Sequence, residues 1–199
     1  MKTIDFYFDY TSFYGYLGAE KIGALAARYD RQVNWNPILL GIVFKVTGSP
    51  NVATMPLKGD YMLHDVVRSA RFLGIPFRKP SKFPIGGQAA SRITLWVRNQ
   101  DPSRVESAVL ALYRAYFIDD QDISAPEIAA QAVGKAGFNA AAALAATQDE
   151  AIKAQHKAEV EAAIARKVFG SPYMIIDGEP FWGADRLPQA EHWLKTGGF

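Results

Sequence analysis

The first 36 residues read as strand, helix, strand, and that order constrains the fold more than any other feature of the chain. Thr3-Ile4-Asp5-Phe6-Tyr7-Phe8 alternates, with Ile4, Phe6 and Phe8 on one face. From Phe13 the period becomes helical, and Ile22, Leu25, Ala26 and Tyr29 fall on one side. Arg31-Gln32-Val33-Asn34-Trp35-Asn36 alternates again and stops at Pro37, which has no N–H for a ladder. A βαβ unit this short implies parallel strands joined by a right-handed crossover.

Ile38-Leu39-Leu40-Gly41 follows, and then a loop rich in turn formers through Thr47-Gly48-Ser49-Pro50-Asn51. From about Lys58 to about Lys167 the pattern is helical. Val105, Val109, Leu112 and Tyr116 form a stripe, preceded by Asp101-Pro102 as cap and first helical residue. Ser124-Ala125-Pro126-Glu127 has capping-box spacing, and Ala140 to Ala146 is an alanine run. The stripe Val160, Ala163, Ile164, Lys167, Val168 runs to Gly170, a helix stop. Tyr173-Met174-Ile175-Ile176 and Glu179-Pro180-Phe181-Trp182 flank Asp177-Gly178, a hairpin signal, and a closing helix runs from about Ala184 to Lys195. The order is βαβ, a block of helices, then αββα: one sheet split in sequence by a helical insertion.

Length and charge narrow the function. The 199 residues suit one domain, or a domain carrying a large insertion. Twenty-two basic and 20 acidic residues nearly cancel, and no basic block or aromatic-interleaved basic stripe is present, which argues against nucleic acid. No basic segment precedes an apolar one at the start, and no apolar run approaches the roughly 20 residues of a membrane span. The chain has no cysteine, so disulfides, thiolate metal sites and cysteine nucleophiles are all excluded. A cytoplasmic protein that does not bind membranes is the expectation.

Ser12 stands where the first strand hands over to the first helix, beside free backbone N–H groups and the positive end of the helix dipole. Two readings stand. Ser12 is an ordinary N-cap, or its hydroxyl donates to a thiolate that another molecule supplies. Ser171-Pro172 opens the third strand, where a trans proline is the ordinary case and a cis bond the uncommon one. Asp185 falls in the first turn of the closing helix, as a favoured dipole partner or as a ligand contact beside Ala184. Lys58, Tyr61, Asp65 and Arg68 recur at helical spacing, either as a solvated charged face or with Lys58 reaching into a cleft. His64, His156 and His192 show neither metal-ligand nor triad spacing and read as surface or packing histidines; no metal site is expected. Gly86-Gly87 reads as a turn.

With these residues assembled, the chain resembles the kappa-class glutathione transferases and their bacterial relatives, the 2-hydroxychromene-2-carboxylate isomerases. Six segments carry the resemblance in order. The run from Asp9 to Leu17 comes first, then Pro37-Ile38-Leu39-Leu40-Gly41 with Phe44-Lys45-Val46-Thr47-Gly48, and Lys58-Gly59-Asp60-Tyr61-Met62. Phe83-Pro84, Gly170-Ser171-Pro172 and the run from Phe181 to Leu187 complete the set. The chain departs from the family pattern at Phe13, Ser49 and Gly86, where a proline and two asparagines are usual; Asn51 lies two residues beyond Ser49.

The resemblance implies an α/β fold, a thioredoxin-like domain with a helical domain inserted between its βαβ and αββα halves. The boundaries would be 1–58 with 149–199 for the former and 59–148 for the latter. It implies glutathione as cofactor, a homodimer, and a small aromatic carboxylate as substrate. Ser12 would hydrogen-bond the glutathione thiolate and be the catalytic residue, Ser171 beside Pro172 would pair with the cysteinyl unit, and Ala184 with Asp185 would take the γ-glutamyl end. Lys58, with Ser49, Asn51 and Trp182, would contact the substrate or a carboxylate. The implied reaction is glutathione-dependent cis–trans isomerisation of 2-hydroxychromene-2-carboxylate to trans-o-hydroxybenzylidenepyruvate. A transferase or peroxidase acting on another electrophile, and a cysteine-free binding module, remain as alternatives.

Overall fold

The computed structural model describes residues 2–199. Its sheet has four strands, β1 (Thr3–Phe8), β2 (Gln32–Pro37), β3 (Tyr173–Ile176) and β4 (Glu179–Trp182), in the order β2-β1-β3-β4. β1 runs parallel to β2 and antiparallel to β3, which pairs antiparallel with β4. The βαβ start therefore folds as its periodicity dictates, with α1 (Phe13–Arg28) as the crossover. Pro37 ends β2 inside the ladder opposite Phe8, and the Ile38 N–H continues it by donating to the Phe8 carbonyl at 2.8 Å. Asp177 and Gly178, both at positive φ (52° and 93°), make the tight turn between β3 and β4.

Alternation on β1 sends Ile4, Phe6 and Phe8 to one face and Tyr7 to the other. The first face meets Trp35, α1 and α5 (Val105–Phe117); ring centroids of Phe6 and Trp35 lie 5.3 Å apart, those of Phe8 and Tyr113 5.8 Å. On the opposite face Tyr7, Ile38 and Tyr173 pack with Val43 of α2 (Leu40–Thr47) and Ala163 of α8 (Glu150–Ala165). Between β2 and β3 every regular element is helical: α2, α3 (Lys58–Leu73), α4 (Gln88–Gln100), α5, α6 (Pro126–Lys135), α7 (Ala140–Ala146) and α8. The closing helix is a 3₁₀ turn, Ala184–Arg186, that runs into α9 (Leu187–Thr196). Among the described residues no helix is long and apolar enough to cross a membrane.

Three expectations need correction. The stretch after Gly41 is not a loop but α2, ending at Gly48 with φ 70°. Its first N–H, on Leu40, donates to the carboxylate of Asp9 at 2.6 Å, so a distant side chain caps it. No capping box forms at Ser124: the helix starts from Ala125 without a side-chain cap, and the Ser124 hydroxyl turns to Asp122. Finally, α8 ends at Ala165, before Gly170, with Lys167 taking positive φ (63°). Gly170 instead gives Trp182 room to lie flat on its backbone, where any side chain would overlap the indole.

Candidate active site

β1 ends in a turn built around Asp9, which is 3% exposed and has no cation beside it among the described residues. One carboxylate oxygen accepts the Thr11 N–H at 2.7 Å and the other the Leu40 N–H at 2.6 Å. Its carbonyl accepts from the Ser12 N–H and from the Tyr113 hydroxyl, each at 2.9 Å, and its own N–H donates to Ser171 Oγ at 2.9 Å. Asp9 thereby ties the starts of α1 and α2, the loop before β3, and α5 to one point. Burial pushes its carboxyl above the usual range, and the two N–H bonds pull it part of the way back.

Ser12 follows as the N-cap of α1, in extended conformation. Its Oγ accepts the Gly15 N–H at 2.9 Å and donates to the Ser171 carbonyl at 2.8 Å. Ser12 is therefore an N-cap, as its ordinary reading has it, and the same atom faces the loop before β3. The Ser171-Pro172 bond is cis, and so is Phe83-Pro84, a segment of the resemblance for which no cis bond was expected. Gly15 permits the approach, since a methyl group there would sit 2.6 Å from Ser171 Oγ and 2.8 Å from the Tyr113 oxygen.

Ser12 and Ser171 lie on the wall of a cavity of about 580 Å³. Its sides are mainly apolar: Phe13, Leu40, Phe44, Val52, Leu57, Met62, Phe83, Phe169 and Trp182. Its polar groups come from Thr11, Ser12, Tyr14, Asn51, Lys58, Tyr61 and the Gly170-Ser171 backbone. Lys58, at the start of α3, is the only Lys or Arg on this wall among the described residues.

Ser12, Ser171, Asn51, Lys58 and Trp182 thus come together from across the sequence. Ser49 does not join them; it is exposed, and its N–H turns back to the Thr47 hydroxyl at 3.3 Å. Asn51 lines the cavity while its side-chain oxygen accepts the Ala53 N–H at 3.0 Å, and its amide nitrogen has no hydrogen-bond partner among the described residues. Pro172 lies beneath Ser171 with its ring on Gly18. Its carbonyl accepts the Gly183 N–H at 3.0 Å, so Ala184 and Asp185 sit one step beyond the cavity wall. The Asp185 carboxylate folds back over Gly183, 3.6 Å from Arg186. Phe13 is buried, stacked on Phe83 at 4.6 Å, so this departure from the family becomes core. At Gly86 the space of a side chain is filled by the Gln88 amide.

The first turns of α3 divide between cavity and solvent. Lys58 and Tyr61 line the cavity, while Arg68 pairs with Asp65 and donates to the Tyr61 hydroxyl at 3.2 Å on the solvated side. Tyr14 donates to Asp65 at 2.6 Å, and that bond, with Arg68, holds the Asp65 carboxyl below the usual range. Asp9, Thr11, Tyr14 and Tyr113 were missed as site residues. The available signal was Asp9, an acid closing an apolar strand with no basic residue within seven positions after it. Of the histidines, His156 is buried and His64 and His192 are exposed.

A helix N-terminus facing a cis-proline loop, on a β2-β1-β3-β4 sheet with helices between the halves, defines a thioredoxin-fold protein with a helical insertion. Residues 3–195 match the model of the DSBA-like thioredoxin domain. A 2-hydroxychromene-2-carboxylate isomerase of Sphingobium xenophagum is 30% identical over 198 residues, covering 97% of this chain and 98% of the relative. Glutathione S-transferase kappa 1 of Homo sapiens is 27% identical, with 97% and 91% covered. A solved structure of a 2-hydroxychromene-2-carboxylate isomerase superposes with a TM-score of 0.88 at 26% identity, over 97% of this chain and 94% of that one. The chain belongs to the DsbA-like thioredoxin family, in the branch that holds the 2-hydroxychromene-2-carboxylate isomerases and kappa-class glutathione transferases.

Proposed function

We propose that this protein is a glutathione-dependent isomerase that converts 2-hydroxychromene-2-carboxylate, or a close analogue, to the trans open-chain benzylidenepyruvate. The observation that carries this reading is Ser12 Oγ at the N-terminus of α1, 2.8 Å from the Ser171 carbonyl, on the wall of an apolar cavity whose single cation is Lys58. The residues fit glutathione. Next to the cis bond the Ser171 N–H is bonded to no backbone carbonyl among the described residues, and its carbonyl is held only by Ser12, as an extended peptide ligand requires.

Bound glutathione would supply a nucleophilic thiolate able to add to a conjugated system and leave again, so that a double bond rotates as a single one. Ser12 would turn its proton from the Ser171 carbonyl to that sulfur, with the dipole of α1 behind it. Both effects favour the charged form of a thiol whose free pKa is about 8.5. Lys58 would pair with the substrate carboxylate, and the aromatic wall would hold the aryl end and exclude water. Ala184 and Asp185 would take the γ-glutamyl end, Ser49 would stay outside, and the working form would be a cytoplasmic homodimer.

The test is turnover of the hydroxychromene carboxylate with glutathione assayed at both ends of the reaction. We expect product to accumulate while glutathione stays constant, and calorimetry to give a dissociation constant between micromolar and millimolar, roughly −4 to −8 kcal/mol. Stoichiometric loss of glutathione into a conjugate would instead make the protein a transferase. No heat at millimolar glutathione would leave a binding module and overturn the enzymatic reading.

A further inference from the structure

A second cavity, of about 320 Å³, lies on the sheet face that α8 covers and shares no wall residue with the first. A sheet face under a helix is ordinarily apolar, and this part of it is not. Asp5 and Tyr7 of β1 stand beside Asn34 and Asn36 of β2, while α8 brings only Ala162 and Ala163 between Glu159 and Arg166. The charges here are already paired, Arg166 with Asp5 at 2.8 Å and Arg98 of α4 with Glu159. The neutral groups are not. The Asn34 amide N–H donates to Asp5 and that of Asn36 to the Asn34 carbonyl, each at 2.9 Å, which fixes the oxygen end of both amides. Neither amide oxygen accepts a bond among the described residues, and neither is sealed from solvent. One Glu159 oxygen accepts from both Arg98 and Gln155; the other is open in the same way. Arg166 spends Nη1 on Asp5 and on the Tyr7 hydroxyl, and its Nε and Nη2 have no partner among the described residues.

The wall thus offers open acceptors and open donors over an apolar floor, Pro37 and Ile38, and its two ion pairs leave it without net charge. A carboxylate or an ammonium would have to displace a counter-ion already in place and leave a charge unpaired. A hydroxyl displaces nothing, because it donates to an amide oxygen and accepts from a guanidinium at once. We infer that this cavity binds a small neutral polyol, of monosaccharide size, whose hydroxyls bridge the Asn34 and Asn36 amide oxygens and the Arg166 guanidinium. Its volume lies at the lower end of the roughly 300–1,000 Å³ of small-ligand sites, which suits a single sugar ring. None of these residues lines the first cavity, so the site stands whether or not glutathione binds there.

The probes are D-glucose and myo-inositol, with glucose 6-phosphate and glycylglycine as anionic and zwitterionic counterparts, titrated by calorimetry into the full chain without glutathione. We expect at least one neutral probe to bind with a dissociation constant of about 1 mM or below. Both charged counterparts should bind at least about tenfold more weakly, because the charges they need are taken. Asn36→Leu should weaken the neutral probe about tenfold. Ala162→Phe, on an exposed position of α8, should fill the cavity and abolish binding at an unchanged melting temperature. Should Asn36→Leu fail to fold, Ala162→Phe still decides the site. No heat from either polyol at concentrations well above millimolar would overturn the inference. So would tighter binding of a charged counterpart, or polyol binding that survives Ala162→Phe.

Discussion

Ser12 does two jobs with one oxygen, and the consequences separate on mutation. Ser12→Ala removes the acceptor for the Gly15 N–H, so we expect a lowered melting temperature worth about 1 kcal/mol. It also removes the donor that faces the cleft. The thiol of bound glutathione should then titrate at higher pH, and isomerisation should slow about 10- to 150-fold, the range for a hydrogen bond to a charged group. Thiolate absorbance followed against pH tests this; an unchanged curve beside a lowered melting temperature would leave Ser12 a cap and nothing more. At this scale the sequence was informative about Ser12, Ser171 and Lys58, whose residue types carry chemistry at element junctions. It hinted at Asp9 only by its place at the end of an apolar strand, because the partner that fixes its role, Leu40, is 31 residues away.

Elements were legible where their signals are local. β1, α1 and β2 follow from hydrophobic period, and the β3–β4 hairpin from Asp-Gly. α2 was hidden because its N-cap residue, Leu39, has no capping side chain and its start is held by Asp9 across the fold. The end of α8 was hidden because it turns at Lys167, a residue type that does not announce positive φ. α8 also carries His156, 3% exposed, with Nε2 unpartnered and its pKa pushed down to about 4, first by burial and then by the nearby Arg92. The folded state refuses a proton that the unfolded chain takes up near pH 6.5. Stability should therefore be intact above that pH and fall as pH drops toward about 4, by on the order of 3 kcal/mol from this group. Urea unfolding at stepped pH should show that slope between pH 5 and 6.5 in the wild type, and His156→Gln should flatten it. A wild type of constant stability over that range would show that the ring charges within the fold.

For the molecule as a whole, the split of one sheet by helices was readable from element order, but the cavity was not. It draws its wall from Thr11–Tyr14, from α2 and the start of α3, and from Phe169–Ser171 with Trp182, and no local pattern reports which of these will face one another. Apolar side chains also remain on the outside. Tyr61 and Phe72, eleven residues apart on α3, are 62% and 89% exposed, and Ile42 and Val46 of α2 are 42% and 63% exposed. If they are covered in the proposed homodimer, sedimentation equilibrium should give twice the chain mass, and Phe72→Asp should give the monomer. A monomeric wild type at micromolar concentration would refute the dimer.

The place of β1 in the middle of the sheet has a consequence for synthesis. β1 finds β2 within the first 37 residues, but its other edge is paired only by Tyr173–Ile176. At about 5–20 residues per second, a ribosome needs roughly seven to thirty seconds to cover the intervening stretch. Through that interval the nascent chain carries an unpaired edge flanked by Ile4, Phe6 and Phe8, a template on which other strands can add. Keeping the nascent chain from pairing with its neighbours therefore requires that edge to be shielded until β3, in the last seventh of the chain, emerges.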